Sequence, residues 1–154
     1  MAIKLSKEVI DLINKKGSVK ILATIDEQGI AQADEKEYLE VTKDGYIRYL
    51  ELLETARSYK NFTRSLWFNQ KISITIIGEN KESYKIIGKP DRIYVSGDVY
   101  EEQYKWIRNE LGDVDLAAIC IVEPEEIYDV TLSRNILTQD IEYPIFKHLD
   151  RILK

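Results

Sequence analysis

Apolar residues along the chain recur at two spacings, and the spacings mark out the elements. Val9, Ile10, Leu12 and Ile13 form one side of a short helix that Ser6 can cap and that runs to about Lys16. Leu5 and Ile10 are placed as a hydrophobic staple, and Gly17 suits the stop. A period of two then takes over. Val19, Ile21, Ala23 and Ile25 alternate with more polar residues, Asp26-Glu27-Gln28-Gly29 reads as a turn, and a second strand is expected from Ile30 to Val41. That strand carries Asp34-Glu35-Lys36-Glu37, a charged run that must face solvent, a cleft or compensating charge. A hairpin turn at Thr42-Lys43-Asp44-Gly45 leads into a third strand, Tyr46 to Leu52.

Helical spacing returns from about Thr55 to Phe68, with Tyr59, Phe62 and Leu66 expected toward the core and Arg57, Lys60 and Arg64 on the other side. Ile72, Ile74 and Ile76 alternate through a buried strand, Lys71 to Ile77. After a hairpin loop at Gly78 to Glu82, Ser83 to Val99 is extended, with Gly88 and Pro90 marking a bulge or bend. Asp98 is placed to cap a helix from Val99 to Leu111. Tyr100, Tyr104, Ile107 and Leu111 form its stripe, and Trp106 lies about 100° away from it. The continuous apolar run Leu116 to Val122 marks a last strand, reaching Tyr128, as a central one. Pro144 suits the first turn of a closing helix whose apolar face is Ile145, Phe146, Leu149, Ile152 and Leu153. About six strands joined mostly by short turns predict a mainly β, mainly antiparallel fold with flanking helices. Pattern alone does not choose between a barrel and a sandwich.

Composition narrows the function classes. The 154 residues suit one domain, 1–154, and 44% apolar with 32% charged residues is the balance of a globular protein. A net charge of −5 argues against general nucleic-acid binding. No apolar run approaches the roughly 18 residues of a membrane helix, and no signal-peptide core is present, so a cytoplasmic protein away from membranes is expected. Cys120 is the sole cysteine and sits in an apolar run, so neither a disulfide nor a cysteine metal cluster can form, and a buried, inert thiol is expected. His148 is the sole histidine; no metal site and no histidine-based triad is predicted.

Candidate chemistry concentrates in Tyr46 to Asn61. There a strand runs through a turn at Glu54-Thr55 into a helix opening Ala56-Arg57-Ser58. A helix start has unpaired N–H groups and partial positive charge, so a guanidinium and a hydroxyl in its first turn make a candidate phosphate cradle. The same pattern also reads as a surface helix with a solvated arginine. No acid–base pair stands out, and no catalytic side chain is assigned.

The order of pieces resembles a known family. An early helix is followed by Ile21-Leu22-Ala23-Thr24-Ile25-Asp26, the Gly29 and Gly45 turns, the Arg57-Ser58-Tyr59-Lys60-Asn61 helix and Lys71-Ile72-Ser73-Ile74-Thr75. Ile87-Gly88-Lys89 and the segment Arg92 to Glu102 complete it. Over roughly residues 3–122 the chain resembles the pyridoxamine 5′-phosphate oxidase-like, FMN-binding split-barrel proteins. The resemblance implies a six-stranded antiparallel split β-barrel and a homodimer with FMN at the subunit interface. It places Arg57 and Ser58 at the phosphate and Lys36 beside the cofactor. It also lays the flavin ring along Arg48, Tyr49 and Leu50, and brings Trp106 to the interface or flavin pocket. Lys36 also reads as an ordinary edge-strand lysine, and Trp106 as part of a wide core stripe. Glu51 and Glu54, near the phosphate position, and Asp34 and Glu35 depart from the family pattern. An FMN-dependent oxidoreductase or flavin reductase-like protein is implied, with a small-molecule or protein redox partner that the residues do not name. The alternatives are a non-catalytic flavin-binding or electron-transfer module, and a dimer that has lost the cofactor; relatives also bind heme or another flavin. A true pyridoxamine-phosphate oxidase is disfavoured, because the set of substrate-phosphate ligands is not found.

Overall fold

The computed structural model describes residues 2–153. Helix α1 (Lys7–Asn14) starts as expected, the Ser6 hydroxyl accepting from the Val9 N–H at 3.3 Å, and buries Val9, Leu12 and Ile13. Strands β1 (Val19–Ile25), β2 (Ala31–Glu35), β3 (Leu39–Val41) and β4 (Ile47–Glu51) follow, then helix α2 (Arg57–Trp67). Next come β5 (Ile72–Ile77), β6 (Ser83–Tyr94), α3 (Asp98–Leu111) and β7 (Ala118–Asp129). Helix α4 (Leu132–Glu142), a 3-10 turn at Pro144–Phe146 and α5 (Leu149–Ile152) end the described chain.

The strands make one antiparallel sheet of seven in the order β2-β1-β5-β6-β7-β4-β3. The count is seven rather than six because the expected strand Ile30 to Val41 is broken at Lys36-Glu37-Tyr38. Its two halves serve opposite edges: β2 pairs with β1, and β3 pairs with β4. A linker of that length reaches no more than about 14 Å, so the sheet curls until its edges approach. Cross-links stitch the closure. Lys36 N donates to Lys20 O at 2.8 Å, Leu50 N to Tyr38 O at 3.1 Å, and Lys20 Nζ to Leu39 O at 2.9 Å. The charged run divides accordingly: Asp34, Glu35 and Glu37 face solvent, and Lys36 turns inward.

Period-two alternation sorts the strands between two cores. Ile47 and Tyr49 of β4, with Ala118, Cys120 and Val122 of β7, join the larger core shared with α1 and Phe62. Leu50, Ile119 and Ile121 point the other way, into a smaller core closed by Ile107 of α3. Strand β7 is therefore buried on both faces, as its continuous apolar run predicts. The bulges expected near Gly88 and Pro90 are register shifts at Ile87/Gly88 and Pro90/Arg92, and a Cβ at Gly88 would lie 2.6 Å from the Glu123 carbonyl oxygen.

Three helix expectations change. The cap of α3 is Gly97, at φ +91°, and Asp98 is its first helical residue. The buried side of α2 is largely polar, comprising Ser58, Asn61, Phe62 and Ser65. The closing helix from Pro144 is replaced by a 3-10 turn and the short α5, preceded by the unpredicted α4. From Leu132 to Leu153 every residue except Asp140 and Lys147 is exposed, including the expected apolar face. This arm is tied down at its root, where Arg134 donates to Asp129 at 2.7 Å and to Tyr84 Oη at 3.0 Å. Among the described residues, no helix is long and apolar enough to cross a membrane.

Candidate functional site

Strand β4 divides the candidate residues, because successive side chains on a strand point to opposite faces. Tyr49 and Glu51 face one way, Arg48 and Leu50 the other.

On the first face a compact polar cluster forms at the start of α2. Lys36 Nζ donates to Glu51 Oε2 at 2.9 Å and to Ser58 Oγ at 2.8 Å, and Ser58 Oγ donates to the same Glu51 oxygen at 3.0 Å. The Lys36 and Glu51 side chains are only 11% and 4% exposed. Each buried charge is thus paired and hydrogen-bonded, the condition under which burial is tolerated. Lys36 also stands 5.7 Å from the centre of the Tyr49 ring, which meets Phe62 edge-on at 5.5 Å. Burial holds the Tyr49 hydroxyl well above its usual range and pushes the adjoining Cys120 thiol up to about 12. The thiol is buried, as expected from its setting. Among the described residues, Tyr49 Oη has no hydrogen-bond partner of ordinary geometry.

Arg57 opens α2 and is exposed. The cap residue, Ala56, offers no side-chain hydrogen bond, so the first-turn amides keep the anion-facing character of a helix start. The other two basic residues of the helix differ. Lys60 reaches Glu27 at 3.6 Å across exposed surface, whereas Arg64 donates to the Asp26 carbonyl at 2.9 Å and ties α2 to the β1–β2 turn.

On the second face lies a cavity of about 610 Å³ between β3, β4 and α3. Arg48, Leu50, Tyr38, Lys20 and Trp106 line it, with Glu40 and Glu102. Arg48 pairs with Glu40, and burial lowers its guanidinium from the usual value against the opposing pull of Glu102. Burial likewise lowers the Lys20 ammonium, against Glu37. Trp106, 45% exposed, meets Tyr38 edge-on at 5.9 Å. Lys36 and Ser58 therefore come together at one site, with Arg57 beside them in sequence. Arg48, Leu50 and Trp106 meet at another, and Tyr49 lies buried in the larger core on the first face.

The curled sheet recurs in solved structures. HupZ from Group A Streptococcus superposes with a TM-score of 0.67 at 23% identity, covering 83% of this chain and 95% of that one. An FMN-binding protein from Syntrophomonas wolfei matches with a TM-score of 0.67 at 17% identity, over 80% and 84% of the two chains. A candidate pyridoxamine 5′-phosphate oxidase from Lactobacillus delbrueckii matches at 0.61 and 19% identity, over 81% and 93%. The fold is that of the pyridoxamine 5′-phosphate oxidase-like split barrels. The same split barrel is found in an F420 reductase and in HutZ, a heme storage protein of Vibrio cholerae. No protein-family model and no curated protein matches the sequence.

Within this split barrel, the residue that sequence reasoning undervalued is Glu51. In the sequence it is only a carboxylate near the phosphate position that the resemblance implies, yet it bonds both Lys36 and Ser58. The signal was there, because a carboxylate two positions from Tyr49 on a buried strand needs a cation on the same face. Among the described residues, no group of three or more His, Cys, Asp or Glu side chains could hold a metal ion.

Proposed function

We propose that this chain is a flavin-binding split-barrel protein that holds FMN and works as an oxidoreductase in a homodimer. The observation that carries the reading is the cluster at the start of α2: an uncapped helix N-terminus, the exposed Arg57 and, buried behind them, Lys36 held 2.8 Å from Ser58. Arg57 and the first-turn amides, including that of Ser58, suit a phosphate. Lys36 has a third N–H beyond those given to Glu51 and Ser58. The fold shared with an FMN-binding protein supports the choice of flavin. The ring would follow β4 along Arg48, Tyr49 and Leu50, largely through backbone groups, since the Tyr49 side chain is buried. Bound flavin would supply the redox chemistry, and the chain would supply binding, orientation and electrostatics.

A second copy of the chain fits the same reading. Trp106 and the arm from Leu132 to Leu153 leave large apolar side chains in solvent in a single copy, and patches of this kind mark association surfaces.

The visible spectrum of the purified protein, with identification of any released chromophore, tests the flavin directly and separates it from heme. Arg57→Ala should weaken FMN at least about tenfold, since a charge-assisted contact contributes on the order of 1.5–3 kcal/mol. Lys60→Ala should change it little. Absence of any flavin binding, or unchanged affinity in a folded Arg57→Ala protein, overturns the assignment. Turnover of reduced nicotinamide with an acceptor separates an enzyme from a flavin carrier.

A further inference from the structure

We propose that Glu51 sets the selectivity of the α2 site between phosphorylated and unphosphorylated flavins, acting as a built-in competitor for the phosphate; this rests on the flavin reading. A hydroxyl has one proton to give, and Ser58 gives its proton to Glu51 at 3.0 Å. Lys36 points its ammonium at the same carboxylate at 2.9 Å and spends a second N–H on Ser58. The hydroxyl and the ammonium beside the helix start are therefore already turned onto an anion that belongs to the chain.

Burial makes the effect large. Glu51 is 3% exposed and Ser58 2% exposed, so water screens the carboxylate poorly. A phosphate at the first turn of α2 is attracted by Arg57 and the helix start but gains no net charge from Lys36, which the Glu51 carboxylate cancels at 2.9 Å. A flavin without a phosphate is indifferent to both. The native site is thus tuned toward weak discrimination, and phosphate recognition is released when the Glu51 charge is removed. Glutamine keeps the shape and one acceptor oxygen, enough for Lys36 and Ser58, which bond the same Glu51 oxygen; it removes the charge and turns the other oxygen into an NH2 group.

The test is titration of FMN and riboflavin, by quenching of flavin fluorescence, into the wild-type protein and Glu51→Gln. FMN should bind Glu51→Gln about tenfold or more tightly than wild type, while riboflavin changes by less than about twofold. Flavin binding by wild type with an unchanged ratio of FMN to riboflavin affinity overturns this inference and leaves the flavin reading standing. Binding of neither flavin to either protein overturns both. Glu51→Gln leaves Lys36 buried without its counter-charge and can fail to fold alone. Refolding in the presence of each flavin then reads the same selectivity, because a ligand that binds only the folded state stabilises it by mass action. Recovery of a cooperative melting transition with FMN and not with riboflavin is expected; equal recovery with both, or with neither, overturns the proposal.

Discussion

Lys36 and Glu51 form an ion pair inside the barrel, 2.9 Å apart, although they stand on segments that pair with opposite edges of the sheet. Lys36 follows β2, and Glu51 ends β4. The contact therefore exists only when the sheet has curled and closed, and it reports on closure as well as on charge. Truncating one partner leaves the other buried and uncompensated. Lys36→Met should cost about 3–5 kcal/mol in urea denaturation, whereas Lys36→Met combined with Glu51→Leu should cost much less, because replacing a buried pair with apolar side chains is often close to neutral. Equal losses in the single and double variants would show that the two charges are not coupled.

Much of the fold was legible because its elements carry their own period. Phe62 at helical spacing, Ile72, Ile74 and Ile76 at period two, and the unbroken run Leu116 to Val122 all settle where their patterns place them. The break at Lys36 was not legible. A strand that changes edges keeps the same alternation on both sides of the break, and only the closed sheet shows that Lys36-Glu37-Tyr38 is a crossing. The resemblance lays the flavin ring along Arg48, Tyr49 and Leu50 largely through backbone groups, and the pleat, as the alternation predicts, sends the Tyr49 side chain to a different face from its neighbours. Helix α4 was missed for a different reason. Its Leu132, Ile136, Leu137 and Ile141 face solvent in one copy, and the Thr131 hydroxyl at its cap position accepts from Ser83 N at 2.9 Å instead of capping the helix.

The Asp26 carboxylate supplies a pH test of the β1–β2 turn against which α2 rests. It accepts from the Ile30 and Gln28 amides at 2.9 Å and from Gln32 Nε2 at 3.1 Å. The Ile30 amide does most to hold it below its ordinary value of 3.8; burial opposes, and Gln28, Gln32 and Arg57 assist. Between the folded-state value and 3.8 the unfolded chain binds more protons than the folded one, so stability rises with pH across that window. The contribution is complete above 3.8 and is lost as pH falls through the folded-state value. Asp26→Asn should therefore melt below wild type at pH 7, and the gap should close as the pH is taken below about 3.8. A gap of constant size down to pH 3 would mean that the ionised form of Asp26 contributes nothing.

The last expectation concerns the second copy. Trp106 is 45% exposed even with Tyr38 against one edge, and along the arm Leu137, Ile141, Ile145 and Leu149 are 64%, 80%, 83% and 75% exposed. Side chains of this size left in water forfeit on the order of 1.5–3 kcal/mol each relative to burial. Helices so short gain little from propensity alone, so α4 and α5 need a surface to pack on. If a second copy supplies it, light scattering at micromolar concentration should give twice the 18.0 kDa of the chain. Ile141→Asp and Trp106→Ala should then each raise the dimer dissociation constant at least about tenfold, in keeping with large apolar anchors at interfaces, while the melting behaviour of the dissociated chain changes little. The two substitutions separate the possibilities. A Trp106→Ala protein that loses stability but keeps its dimer places the indole in the core beside Tyr38. An Ile141→Asp protein that stays dimeric places the interface away from the arm. A wild-type chain that scatters as a monomer overturns the homodimer, and the assembly part of the flavin reading falls with it.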